Sequence, residues 1–183
     1  SKQEMFRYNN YQYEVRFLRA YYYFYLARQY GAVPFTDHVL TTGEVNSLER
    51  RPAEEIFDYV ISECDAIKDL IVEDYGKLGD MAPSGESLET GRANKRAVLA
   101  LKARAALYAA SPLFNTNNDV ELWHRAATAN KELIDNCEAA KMKLIDDYSA
   151  LWSASSYSDA LDELIFGRRA TRTTNSFEGY NFP

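Results

Sequence analysis

Histidine and cysteine are scarce, and their scarcity narrows the chemistry. Only His38 and His124 occur in 183 residues. Neither has a second histidine three or four residues away, so neither opens a helical metal site or gives a nucleophile an obvious partner. Ser-His-Asp and Cys-His schemes therefore have little support. The two cysteines, Cys64 and Cys137, are far apart and follow no zinc-like spacing. They read as small hydrophobes rather than as a disulfide. Runs long and apolar enough to span a membrane are missing, and so is a charged-then-apolar leader. The net charge is −6 with both signs interspersed. Without a basic stripe to neutralise phosphates, nucleic acid is excluded as a partner. The isolated Gly76, Gly79 and Gly85 make neither a phosphate loop nor a dinucleotide fingerprint.

Acidic pairs are equally uninformative about hydrolysis. Glu54-Glu55 and Asp146-Asp147 are adjacent in sequence. Neighbours on one helix cannot face each other across a sugar, whereas glycosidic cleavage needs two carboxylates about 5–9 Å apart in a cleft. No cofactor, metal or catalytic residue is nominated, and the ligand-binding residues are left unassigned. Charges nevertheless cluster in two places. Glu14, Arg16 and Arg19 lie among aromatics and read as inter-helix ion pairs, with ligand contact as the alternative. Arg92, Lys95, Arg96, Lys102 and Arg104 read as a solvated or salt-bridged face.

What is abundant is the ordinary material of a folded domain. Apolar residues make up 46% and charged residues 26%, enough for a real core. The 14 tyrosines suit wide, half-buried surfaces because each has an apolar ring with a polar tip.

Apolar spacing of three and four predicts helices. The first runs over 4–30, its inward face read as Met5, Tyr8, Tyr11, Val15, Leu18, Tyr22 and Tyr25. Phe17, Tyr21 and Phe24 form a second row, so the helix should be buried on more than one side. Gly31 stops it and Pro34 prevents resumption. Residues 33–49 read as loop, with a short extended piece over 39–42.

Pro52, followed by Glu54 and Glu55, suits a helix start. Its stripe is Ala53, Phe57, Val60, Cys64, Ile67 and Ile71, reaching about Val72. Arg50 and Arg51 before it call for acidic partners. Residues 76–91 read as an exposed linker.

The helix over 94–110 is rich in alanine, which allows close helix approach. Asn118 or Asp119 can cap a further helix that runs to about Cys137 and buries Trp123, Ala127, Leu133 or Ile134, and Cys137. A short helical stretch over 145–152 precedes a strand over 163–166, and the rest is irregular. The expected fold is all-α, antiparallel helix pairs in a tetratricopeptide-like, right-handed array with little or no β. Residues 1–163 form the helical domain, and 164–183 form a short strand and irregular tail. Starting at Ser1 and ending at Pro183 without a capping element, the chain reads as a cut or processed piece.

Several strings together resemble the SusD/RagB family. Arg16-Phe17-Leu18-Arg19-Ala20-Tyr21-Tyr22-Tyr23-Phe24 followed by Tyr30-Gly31-Ala32-Val33-Pro34 is similar to its "RFLRAYYYF…YGGVP". Arg51-Pro52 into Ile56-Phe57 resembles its "R…EEIY". Gly91-Arg92-Ala93-Asn94-Lys95, with Leu101-Lys102-Ala103-Arg104 and Leu107-Tyr108-Ala109-Ala110-Ser111-Pro112-Leu113-Phe114-Asn115, resembles "GRATK…ALKAR…LYAASPLFN". Trp123 with Ala126-Ala127 and the run from Glu163 to Arg169 match further segments. Met142-Lys143-Leu144 departs from the family's "Y-x-L".

The resemblance implies a surface-exposed outer-membrane lipoprotein that captures glycan or peptide without catalysis. It implies a TonB-dependent, SusC-like porin as partner, and a glycan or oligosaccharide as ligand. The helical part would be scaffold and porin-facing surface, and the lipidated cysteine would lie upstream. The alternative is a generic tetratricopeptide-like adaptor that grips peptides.

Overall fold

The computed structural model describes residues 1–81, 92–149 and 163–167. Four long helices dominate: α1 (Lys2–Tyr30), α3 (Ala53–Ile67), α4 (Lys95–Ala110) and α5 (Val120–Ala139). Between the first two lie β1 (Val33–Pro34), a single helical turn α2 (Thr42–Val45) and β2 (Arg50–Arg51). The sheet is one short antiparallel pair, Val33 opposite Arg51 and Pro34 opposite Arg50. The all-α expectation is met.

The long helices stack in chain order, α1 on α3, α3 on α4 and α4 on α5. Cross-contacts give their directions. From α1 toward α3, Asn10 bonds Val72, Arg16 bonds Glu63 and Phe24 packs on Phe57. Rising numbers meet falling ones, so the pair is antiparallel. The same holds for Phe57 with Tyr108, Asp65 with Lys102 and Asp69 with Lys95.

Local chemistry sets the ends of the helices. Gly31 adopts a φ of 70° and donates its N–H to the Ala27 carbonyl, which closes α1 in a conformation that side chains resist. Asn94 and Asp119 accept backbone N–H bonds from Ala97 and Glu121, capping α4 and α5.

The α3 stripe is as expected, with Phe57, Val60, Cys64 and Ile67 fully buried. Its helix ends at Ile67 rather than near Val72, because the Val72 backbone is engaged elsewhere. The Val72 N–H donates to Asn10 Oδ1, and its carbonyl accepts from Lys95. Alanine carries much of the tight packing in α4, where Ala105, Ala106 and Ala110 are fully buried.

Several expectations are corrected. The α1 face against the core is Asn10, Glu14, Phe17, Ala20, Phe24 and Ala27. The row Met5, Tyr8, Val15, Leu18 and Tyr22 lies exposed on the opposite side. Two polar residues in the buried face made the other row look like the more apolar one.

Residues 39–42 pair into no strand, although Thr41 itself keeps an extended backbone with φ −77° and ψ 162°. The Glu44 carboxylate accepts both the N–H and the hydroxyl of Thr41, which starts a helical turn instead. On α5 the inward residues are Ala126 and Ala129, with Leu122 and Leu133 half-buried, so Trp123 and Ile134 face outward. Close approach to the alanines of α4 selects small residues there.

The expected strand over 163–166 is a turn and bends. A strand needs an edge to pair with; here Phe166 inserts among α1 aromatics, and the Glu163 carboxylate accepts the Ile145 N–H. Residues 145–147 are not helical, and a 3-10 turn begins only at Tyr148. The remainder of that expected helix, and of the tail after Gly167, lies outside the described residues.

Residues 76–91 are not wholly an exposed linker. Short 3-10 turns at Tyr75–Lys77 and Gly79–Met81 bury Tyr75 and Leu78, and 82–91 lie outside the described residues. Among the described residues no carboxylate pairs with Arg50 or Arg51; Arg51 lies over the Phe35 ring instead, 4.4 Å from its centroid.

Candidate functional site

The chemistry-bearing side chains fall into three groups, each built across helices. The first is a buried polar knot on α1. Asn10 and Glu14 are one helical turn apart and point the same way. Asn10 Nδ2 donates to Glu14 Oε1 at 2.7 Å and the Tyr75 hydroxyl donates to the same oxygen at 2.7 Å. Arg92 meets the other carboxylate oxygen at 2.8 Å and stacks over Tyr11, 4.3 Å from the ring centroid.

Burial, with the Glu14 charge alongside, pushes the Tyr75 hydroxyl above the ordinary tyrosine range. Burial opposes the charge on Arg92, and the bonds to Glu14 and Tyr75 outweigh it and keep the guanidinium firmly charged. The knot ties the chain on both sides of residues 82–91 to α1. Neither Asn10 nor Tyr75 was singled out from the sequence. A polar pair at i, i+4 inside an aromatic row was the signal that could have shown them.

The second group lies where α1, α3 and the β1 loop meet. Arg16 grips Glu63 through two bonds of 2.9 Å, and Arg19 donates to the Asp37 carbonyl at 2.8 Å. The bond to Glu63 raises the Arg16 pKa, against a smaller opposing effect of burial. Beside them Tyr23, Phe35 and Tyr59 cluster with centroids 4.6 to 6.0 Å apart, Tyr59 meeting both others edge to face and Tyr23 lying tilted on Phe35. The Tyr23 hydroxyl donates to the Thr36 carbonyl and accepts the Thr36 N–H, pinning the loop. Burial first, then the Glu63 charge, raises the Tyr59 pKa.

The third group ties α3, α4 and α5. Lys102 lies 2.7 Å from both Asp65 and Glu132, and Lys68 also reaches Glu132. The Glu132 carboxyl loses some solvation through burial, but the two lysines outweigh this and lower its pKa.

Of the five basic residues read from the sequence as a solvated or salt-bridged face, four are ion-paired. Arg92 holds Glu14, Lys95 holds Asp69, Arg96 holds Asp74 and Lys102 holds Asp65 and Glu132. Arg104 lies over Phe24 at 5.9 Å. His38 sits exposed in its loop, 2.9 Å from Asp37 and 3.8 Å from Glu44; the bond to Asp37 raises its pKa.

Cys64 is buried and Cys137 half-buried, both as free thiols, with burial pushing each above its ordinary range. Among the described residues no group of three or more His, Cys, Asp or Glu is placed to hold a metal ion. No described helix is long and apolar enough to cross a membrane.

These groups join helices; none of them frames a reacting centre. Residues 1–107, which hold α1, α3 and most of α4, match the model of the SusD-like family described as "Starch-binding associating with outer membrane". The chain belongs to the SusD-like family.

Two solved structures from Bacteroides fragilis agree with this. A SusD-like carbohydrate-binding protein is 28% identical, with a TM-score of 0.51, over 67% of this chain and 20% of its own. A second SusD-like protein is 25% identical, with a TM-score of 0.58, over 79% of this chain and 24% of its own. The chain thus spans about a fifth to a quarter of the length of these relatives. No curated protein matches.

Proposed function

We propose that this chain is the helical scaffold of a non-catalytic glycan-binding component of an outer-membrane nutrient-uptake system. In this reading the scaffold docks on a TonB-dependent, SusC-like porin, and the parent is lipid-anchored at the cell surface. The observation that carries the reading is the family match over residues 1–107, whose description couples starch binding to the outer membrane. A solved relative described as a carbohydrate-binding protein supports it.

The chemistry of the described residues supports the non-catalytic part. Three of their buried or partly buried carboxylates are engaged by cations. Glu14 is held by Arg92, Glu63 by Arg16 and Glu132 by two lysines. A general acid for glycoside cleavage needs a raised carboxyl pKa, whereas the two lysines lower that of Glu132.

The test uses the full-length parent. In native gels containing polysaccharide, its migration should be retarded by at least one glycan of a panel that includes starch. Reducing sugar should not accumulate, and the parent should co-purify with a porin of the same cell envelope. Hydrolysis by clean protein would reject the non-catalytic role. Failure to bind any glycan, together with binding to short peptides, would favour the adaptor reading.

A further inference from the structure

Helix α1 carries two apolar faces, and the described residues cover only one. The inner face, with Phe17 and Phe24, is closed by α3 and α4. The outer face runs Tyr8, Tyr11, Val15, Leu18, Tyr22, Leu26 at steps of three and four, with Gln12 and Arg19 along one edge and the Arg92 guanidinium over the Tyr11 ring. Tyr8 is 83% exposed, Val15 64% and Tyr22 63%. Tyr8 to Leu26 spans about 27 Å at the α-helical rise. An exposed apolar row this long marks an interface rather than a solvated side.

Its aliphatic members, Val15, Leu18 and Leu26, offer no hydrogen-bonding groups to a sugar. A packed polypeptide is the occupant that this chemistry fits. Two observations point to polypeptide of the same chain. Solved relatives are four to five times longer than the part matched here, so most of such a protein lies outside this scaffold. The chain after α5 also returns to α1. Phe166 packs on Phe17 at 5.3 Å and on Tyr21 at 5.7 Å. From Tyr21 the ring contacts continue to Tyr25 at 4.6 Å and to the exposed Tyr22 at 5.8 Å.

We propose that in the parent protein the outer face of α1 is the seat of polypeptide lying beyond residue 183, which continues the packing begun at Phe166. This rests on the chain being part of a longer SusD-like protein, and not on which glycan that protein binds.

The test is photo-crosslinking in the full-length parent, isolated at low concentration without its porin. A benzophenone amino acid replaces Tyr22 in one variant and Val15 in another, and tyrosine footprinting is run on the unmodified protein. Crosslinks should be intramolecular and land on peptides beyond residue 183. Tyr8 and Tyr22 should label several-fold more slowly than in the urea-unfolded protein. Native labelling as fast as unfolded, crosslinks to a second copy, or protection that appears only with porin would each overturn the proposal. None of these results depends on glycan binding, so the two readings fail separately.

Discussion

At the residue scale, what an ion pair contributes depends on how far it is removed from water. Glu14 and Arg16 are two residues apart on α1 and both pair with a partner on another segment. Glu14 is buried and accepts three hydrogen bonds, so removing it takes a charged acceptor from Asn10, Tyr75 and Arg92 at once. Arg92 keeps about a third of its side chain in solvent, which softens the loss. Glu14→Ala should cost about 2–3 kcal/mol, at the low end for breaking a buried pair. Arg16→Ala, whose charge is one-third exposed, should cost no more than about 1 kcal/mol. Chemical denaturation of both variants decides the matter. Equal losses would show that the knot around Glu14 is no more desolvated than the surface pair.

At the element scale, the helices meet through alanine. Ala105 is fully buried in α4, the helix that packs on both α3 and α5. Overpacking a close helix contact costs roughly 1–3 kcal/mol, so Ala105→Leu should lower stability by more than about 1 kcal/mol. A melting temperature unchanged from the wild type would show that this face has room, and the stacking order would need revision.

The existence of the long helices was readable because period, caps and breakers agreed. Gly31, Asn94 and Asp119 all act where their chemistry predicts. Orientation was less readable. On α1 the row of Phe17, Tyr21 and Phe24 does face the core, but that face also contains Asn10 and Glu14, so hydrophobicity ranked the outer row first. On α5 the alanines at 126 and 129 carried a weaker apolar signal than Trp123, although close packing requires small residues. The end of α3 and the fate of Phe166 were illegible for another reason: each is decided by a partner far away in sequence, Asn10 and Lys95 for Val72, and Phe17 for Phe166. The Glu14–Arg92 pairing was invisible for the same reason.

At the scale of the whole molecule, helices stacked in chain order behave as neighbours coupled through successive interfaces, and a stack can open from one end. The α5 end is tied by more than its nearest neighbour, because Glu132 bonds Lys102 on α4 and also Lys68, just past the end of α3. The folded state lowers the Glu132 pKa. A lowered carboxyl pKa stabilises the fold above the unfolded value, 4.5, and that contribution is lost as pH falls through the folded value. Glu132 is one-third exposed, so the tie should contribute about 1 kcal/mol at most. Glu132→Gln should therefore speed amide exchange in α5 at neutral pH and leave α1 unchanged. The difference from wild type should shrink on acidification below 4.5. Acceleration spread evenly from α1 to α5 would mean that the four helices open as one cooperative unit, and the neighbour-by-neighbour account of the stack would fail.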